Sequence, residues 1–253
     1  MAISNDFSGD LNFWHQRYNQ QAGWTLEARR YIFRQIGLKK STPILEVGSG
    51  TGAVLSSLYQ DGYTQLWGLD IDRAALKRTA YGCAICGDAH HLPFSSGSLS
   101  LTLCHFLLLW VKDPLTVLCE MRRVTLPGSW VVALAEPDYT HRIDEPAELK
   151  PLGAAQTDSL AAQCADVSIG ARLGELFHQA GLANIENGVI RPKAPALFTD
   201  EEFELEWAVL RRDLAGRIPE TQFQRWYNLD RLASIRGERQ QYVPIHFAFG
   251  QVI

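Results

Sequence analysis

Apolar positions along this chain change period repeatedly, and the changes outline a repeating unit. Residues of about 10–21 and 25–37 carry apolar side chains at helical spacing, with Gly37 as a stop. Residues 43–47 then form a short apolar strand, and 51–59 return to helical spacing. The same alternation follows at 65–70 (strand) and 73–79 (helix, with Asp72 as cap), then at 84–86 and 99–104 (strands). Asp113-Pro114 supplies an N-cap and a first-turn proline for a helix to about 124. Leu126-Pro-Gly128 ends it before a fifth strand at 130–135. Five strand–helix units in succession predict a parallel sheet with helices on both faces.

The rhythm breaks after Tyr139. Residues 140–167 read as a helical insertion. Ser168 is placed to cap a helix with Ile169, Leu173, Leu176 and Phe177 on one face, ended by Gly181. A strand is expected at 183–191. Thr199 and Glu202 have capping-box spacing for a further helix, and Pro219 opens another to about 234. The chain finishes in a strand over 242–252. The expectation is one domain, 1–253. It divides into an N-terminal helical lid (1–40), a core (41–139) and helical cap inserts at 140–167 and 197–237, after strands five and six.

The sharpest local signal is Ile44-Leu-Glu-Val-Gly48-Ser-Gly50-Thr-Gly52, a strand running into a glycine turn that opens a helix. Such a turn lets backbone approach a ligand and offers unpaired N–H groups. Asp70, at the end of the next strand, is placed to accept from ribose hydroxyls. The glycine spacing also fits a dinucleotide site. Glu46 argues against one, because a carboxylate beside the loop repels a pyrophosphate but suits a sulfonium and an ammonium. The expected cofactor is therefore S-adenosylmethionine, with S-adenosylhomocysteine as product, rather than NAD.

Charge and composition narrow the partners. Twenty-four Lys and Arg against 28 Asp and Glu give a net charge of -4 over 253 residues. That provides no basic field for a nucleic-acid backbone. The longest apolar run, 101–111, is well short of the roughly 20 residues that cross a bilayer, and the N-terminus lacks a signal-peptide pattern. A cytoplasmic protein without a membrane span, acting on a small molecule, is expected; the oligomeric state is not encoded. Cys83 and Cys86 have metal or redox spacing, but no second pair accompanies them, and they read as small buried apolar residues. His90-His91 lacks a supporting ligand set, so no metal site is expected.

ILEVGSGTG, GLDID (68–72), GDAHHLPF (87–94), the stretch 98–114, RRVTLPGS (122–129) and VVALAEPD (131–138) resemble, in order and spacing, the motifs of class I S-adenosylmethionine-dependent methyltransferases. The similarity is to the type 11 group, which includes the ubiquinone/menaquinone-biosynthesis methyltransferases. It covers roughly 40–140 and, weakly, the elements after 168. It implies an α/β, Rossmann-like doubly wound, mostly parallel seven-stranded sheet with an antiparallel last strand. By position, it also implies that Glu46 orders the glycine loop and that Gly48, Ser49 and Gly50 lie against the methionine moiety. Asp70 holds the ribose, Ile71 packs on the adenine, and Asp88 and the Ala89 N–H meet the adenine edge. Cys104 and His105 border the methyl donor. Tyr18 and Trp24 close the site from the lid, with Arg29 or Arg30 nearby. The chain departs from the family at Leu99-Ser100 and Ser49, and at Leu109-Trp110, where a Glu-His pair is frequent.

The family reaction is in-line methyl transfer from a sulfonium, for which positioning and desolvation supply most of the catalysis. His105 is the candidate catalytic residue. Trp110, Glu136, Asp138, Tyr139 and His141 are candidates for lining the acceptor. Trp207, Phe223, Trp226 and Tyr227 form either core or a pocket; a pocket would take a small apolar or aromatic acceptor. The alternatives are an inactive S-adenosylmethionine-binding sensor or structural protein of the same fold, and, behind that, an NAD(P)-dependent oxidoreductase.

Overall fold

The computed structural model describes residues 11–190 and 199–253. The first ten residues of the expected lid, Arg191 at the end of the expected sixth strand, and positions 197–198 of the expected second insert lie outside the described residues. In chain order the elements begin with α1 (Leu11–Trp24), α2 (Leu26–Gln35), β1 (Ile44–Val47), α3 (Ala53–Gln60) and β2 (Leu66–Asp70). Next come α4 (Arg73–Leu76), β3 (Cys83–Cys86), β4 (Leu99–Cys104), α5 (Pro114–Val124) and β5 (Thr125–Pro137). The second half adds β6 (Ile143–Glu145), α6 (Lys150–Ala162), α7 (Leu173–Gln179) and β7 (Ala183–Ile190). It closes with α8 (Asp200–Asp213), α9 (Glu220–Arg236), β8 (Gln240–Tyr242) and β9 (Ile245–Gln251).

Seven strands form one sheet in the order β3-β2-β1-β4-β5-β9-β7. Strands β1 to β5 run parallel, and β9 lies antiparallel between β5 and β7. β1 has neighbours on both sides because the chain winds outward first one way and then the other. All four of its residues, Ile-Leu-Glu-Val, are buried. One face is covered by α1, α2 and α3 through Ala22, Ile32, Phe33, Val54, Leu55 and Leu58. The opposite face is covered by α5 and α7 through Val117, Leu118, Met121, Leu173 and Phe177. The strand order reverses between β1 and β4, which opens a crevice at the carboxyl ends of those two strands.

Local capping follows the sequence at most ends. The Asp72 side chain accepts from Ala74 and Ala75 N–H, Asp113 accepts from Thr116 N–H, and Thr199 and Glu202 form a reciprocal capping box. Four expectations need correction. Strand β5 starts at Thr125, because Leu126-Pro-Gly128 continues the strand and Gly128 N–H donates to the Val252 carbonyl at 2.7 Å. Ser168 does not cap the helix after it. Its hydroxyl bonds Asp166 at 2.9 Å, and the segment opens as a 3-10 turn, Ile169–Arg172, before α7. The first insert is not wholly helical, since β6 pairs antiparallel with β8 from the far end of the chain. Cys83 and Cys86 are exposed, because β3 is the edge of the sheet.

The inserts share a core of their own. Leu149 and Leu152 meet Phe203, Trp207, Leu210, Leu214, Phe223 and Trp226. Trp207 lies edge-on to Phe223 and Tyr227 and donates its indole N–H to the buried Asp230 at 2.8 Å. Asp230 also takes Arg239 at 2.7 Å, so the buried charge is paired. Of the two roles open to these late aromatics, the cap core is the one the structure displays.

Candidate functional site

The glycine loop turns at the end of β1. Gly48 and Ser49 N–H both donate to the Leu69 carbonyl, at 2.7 and 3.0 Å, which pins the turn against β2. Gly48 has φ of 74°, in the left-handed region, and a Cβ there would sit 2.6 Å from a Leu107 methyl. Gly50 has φ of 52° and lies under the Tyr18 ring, with 3.3 Å between a built Cβ and Cε2. Only glycine meets both demands, backbone sign and clearance.

Asp70 is the loop's anchor. Its Oδ2 accepts Gly50 N–H at 2.7 Å and its Oδ1 accepts Asp72 N–H at 2.8 Å. Burial pushes its carboxyl above the ordinary range, against the pull of those N–H groups. Each carboxylate oxygen still has a lone pair for a diol. Ile71 beside it is 67% exposed, an apolar side chain held out at the crevice. Asp88 accepts His90 N–H at 2.9 Å and His90 Nδ1 at 2.7 Å, and these bonds hold its carboxyl below the ordinary range. Ala89 is buried beneath that turn.

Glu46 points inward. It is 2% exposed, its Oε2 is buried without a partner, and burial raises its pKa well above normal, opposed by Arg29. Ser49 Oγ is likewise buried and unpartnered. Unmatched buried polar atoms are rare in folded chains and call for a ligand or water. Here they surround the loop expected to hold a methionine moiety. The donor and acceptor set, the clearance over the glycines and the Asp70 carboxylate therefore fit an adenosylated amino acid.

At the end of β4, Cys104 is fully buried and burial pushes its thiol up, so it stays protonated. His105 follows. Burial, with Arg29 adding to it, pulls its imidazole down to about 3, and its Nε2 lies 3.0 Å from the Thr25 hydroxyl. At neutral pH it is an uncharged ring with a fixed partner. Thr25 itself is 0% exposed, at the corner between α1 and α2. Neither Thr25 nor Arg29, four residues on, carries a local sequence signature for this position.

Several candidates are redirected. Tyr18 covers the loop and Trp24 does not. Six positions along a helix leave side chains about 120° apart, and Trp24 is 38% exposed under the Arg17 guanidinium, 4.7 Å from its ring. Glu136 does not line an open crevice. It is 0% exposed and accepts Leu107, Leu108 and Leu109 N–H at 3.0, 2.8 and 3.2 Å. Phe106, with φ of 51°, turns the chain so that these three N–H groups converge on it. Asp138 is 2% exposed and caps the turn at Tyr139–His141, accepting Thr140 N–H at 3.0 Å and lying 2.6 Å from His141 Nδ1. Burial alone would raise its carboxyl, but the bonds from Thr140 and His141 bring it below the ordinary range. His141 projects to solvent from that dyad, its side chain 73% exposed. Tyr139 is half-buried, and burial, with Asp213 nearby, pushes its phenol up to about 12. Trp110 is 40% exposed.

Helix α1 spans two regions. His15 lies 2.9 Å from the Thr51 hydroxyl at the loop, and Asn12 accepts from Arg78 at 2.7 Å. On the other side Arg17 faces Glu206 of α8 at 3.8 Å, and Arg212 sits 3.5 Å over the Phe13 ring. Among the described residues no group of three or more His, Cys, Asp or Glu is placed to hold a metal, and no helix is long and apolar enough to cross a membrane.

A doubly wound sheet of this strand order, with a glycine loop after β1 and an acid after β2, defines a class I methyltransferase fold. Residues 45–133 match the family model for a methyltransferase domain. The chain is 34% identical over 114 residues to a demethylmenaquinone methyltransferase of Renibacterium salmoninarum, covering 44% of this chain and 48% of that one. It is 27% identical over 139 residues to a malonyl-[acyl-carrier protein] O-methyltransferase of Halorhodospira halophila, covering 51% and 47%. The chain thus spans about half the length of these relatives. Among solved structures, a Haemonchus contortus phosphoethanolamine N-methyltransferase in complex with S-adenosylmethionine has the same fold. Its TM-score is 0.58 at 14% identity, over 89% of this chain and 52% of that one.

Proposed function

We propose that the protein transfers a methyl group from S-adenosylmethionine to a small-molecule acceptor. The observation that carries this reading is the loop itself: left-handed Gly48 and Gly50, the Asp70 carboxylate tied to Gly50 N–H, and the unpartnered Oε2 of Glu46 beside them. When bound, the cofactor supplies a methyl group already activated by a sulfonium. The chain's own part is to bind and orient. Asp70 accepts the ribose hydroxyls, Ile71 packs on the base, and Asp88 with the Ala89 N–H meets the adenine edge. Gly48, Ser49 and Gly50 lie against the methionine, Tyr18 covers the loop, and Cys104 closes the end of β4 against water.

His105 serves this chemistry as a neutral ring fixed by Thr25 and is not the proton acceptor. Activity is therefore expected to show no titration of His105 between about pH 5 and 8. The His105→Gln variant should keep the shape of the wild-type pH profile, even where its rate falls. A profile whose acid limb disappears in that variant would assign the base to His105 after all.

For the acceptor we propose a small molecule of apolar or aromatic character. Its support is the likeness to the Renibacterium demethylmenaquinone methyltransferase and the exposed Trp110, six residues beyond the end of β4. A second reading, a sensor that binds the cofactor without transferring methyl, is favoured by Leu109-Trp110 in place of a polar pair and by the low basicity of His105. Calorimetry with S-adenosylmethionine, S-adenosylhomocysteine and NAD tests the cofactor, and a mass-spectrometric screen for methylated small molecules separates enzyme from sensor. Tight NAD binding with no affinity for either adenosyl compound would sink the proposal. Asp70→Ala is expected to weaken S-adenosylhomocysteine binding roughly 100-fold, since it removes the diol partner and frees the loop's Gly50 N–H. Unchanged affinity in the same titration would place the ribose elsewhere.

A further inference from the structure

We propose that Arg17, Gln20 and Glu206, where the lid helix α1 meets α8 of the cap, recognise a hydroxyl group carried by the methyl acceptor. The inference rests on the methyl-transfer reading above and narrows its acceptor to hydroxylated apolar or aromatic molecules, against acids and amines.

Arg17 and Glu206 face each other with 3.8 Å between Nη1 and Oε2, and only 13% of each side chain is exposed. That separation is beyond hydrogen-bond reach, and Glu206 makes no hydrogen bond among the described residues. A nearly buried ion pair recovers its desolvation cost only where close geometry and further hydrogen bonds complete it. Here a third polar atom beside the gap could lie about 2.8 Å from both ends.

Gln20 gives the site a direction. Its Oε1 accepts from Arg17 Nη1 at 2.7 Å. A guanidinium only donates, so this bond fixes the other amide atom as the NH2 group. That Nε2 is buried without a partner, a rare state for a donor in a folded chain. Arg17 also lies 4.7 Å over the Trp24 ring, which holds this face of α1 in place. Tyr139, two residues beyond β5, stands near both Arg17 and Glu206; its phenol stays protonated and its hydroxyl makes no hydrogen bond among the described residues. Asp213, further along α8, is already engaged by Gln156 at 2.7 Å. The seam adjoins the crevice, because Tyr18 next to Arg17 covers Gly50 and Thr25 at the end of α1 reaches His105 after β4.

The open positions are a donor on Gln20, an acceptor on Glu206 and a cation between them. A carboxylate satisfies Gln20 and Arg17 but meets Glu206 with like charge. An ammonium satisfies Glu206 but meets Arg17 with like charge and offers Gln20 no lone pair. A carbonyl leaves Glu206 unmatched. A hydroxyl accepts from Gln20 and donates to Glu206 through one atom.

Naphthalene, 2-naphthol and 2-naphthoate share one frame and test the site at pH 7, by ligand-observed NMR titration of the chain loaded with S-adenosylhomocysteine. The wild type is expected to bind 2-naphthol about tenfold more tightly than either of the others. Glu206→Gln removes the like charge and frees Arg17, so it should bring 2-naphthoate to at least the affinity of 2-naphthol. Gln20→Met should weaken 2-naphthol about fivefold and leave naphthalene within about twofold, which also shows that the variant is folded. Where Glu206→Gln does not fold, the wild-type order and Gln20→Met decide. Equal affinity for the three probes, no binding of any, or an order that Glu206→Gln leaves unchanged overturns the hydroxyl site and leaves the cofactor reading standing. A wild type that does not take up S-adenosylhomocysteine in the loading step overturns the methyl-transfer reading itself.

Discussion

Replacing Gly48 by alanine is expected to abolish useful cofactor binding while leaving the sheet folded. Two costs add. A residue with a Cβ at φ of 74° is strained, and the new methyl would lie 2.6 Å from Leu107 Cδ1, with further Leu107 carbons at 3.1 Å. Leu107 relieves the contact by turning its side chain, while its backbone stays tied to Glu136 at 3.0 Å, so the strain at position 48 itself remains. Backbone strain alone is worth about 1–3 kcal/mol. Relief requires the loop to move off the Leu69 carbonyl that holds Gly48 and Ser49. The affinity for S-adenosylhomocysteine should fall at least ~100-fold, about 2.7 kcal/mol. Calorimetry reads this, and circular dichroism checks that secondary structure is retained. An affinity within a few-fold of wild type would mean that the ligand does not approach this turn.

The second large effect is on stability, at Glu136→Ala. Three consecutive backbone N–H groups, of Leu107, Leu108 and Leu109, lose their acceptor in a region where Leu108 and Leu109 are buried. Each unsatisfied buried donor costs about 1–3 kcal/mol, reduced where water can enter the space left behind. A destabilisation of about 4 kcal/mol is expected in urea unfolding, enough to lower Tm by roughly 10 °C in a chain of this size. A loss below about 1 kcal/mol would show that the loop finds other acceptors. Glu136 also gives stability a pH dependence of definite sign. Burial raises its folded pKa from 4.5 to about 8, against the pull of the three N–H bonds. The folded state then binds the proton more tightly than the unfolded chain. The contribution is complete below the unfolded pKa and is lost as pH rises through about 8. Glu136→Gln, neutral at every pH, should flatten that part of the curve.

Much of the fold is legible in the sequence because its signals are local. Period-2 and period-3.6 runs, Asp72, Asp113-Pro114 and the Thr199–Glu202 box each act within a few residues, and the structure places those elements and caps where the runs fall. The glycine loop and Asp70 belong with them, since their geometry depends on one strand–turn–helix unit and the next strand. What escapes is what depends on distant partners. β6 finds β8 about a hundred positions along the chain. Glu136 sits at a strand end that faces the crevice in projection, yet its carboxylate is claimed by a loop nearly thirty residues earlier. Thr25 and His105 meet across 80 positions, and the chain around neither shows it. The misread Leu126-Pro-Gly128 is the converse case. Its breaker residues are tolerated because the C-terminal segment supplies the hydrogen bond that a turn would otherwise need.

Helix α1 carries a thermodynamic consequence. It touches both the glycine loop, through His15 and Tyr18, and the second insert, through Arg17 and Phe13. A ligand that settles this helix on the loop also settles it against α8, and the converse holds for a ligand seated under the insert. Linkage makes the effect reciprocal, each ligand tightening the other by the same factor. On the proposed function, donor and acceptor would each hold the other in place, whichever loads first. Either product would leave more slowly while the other stays bound, and the coupling would run through one helix.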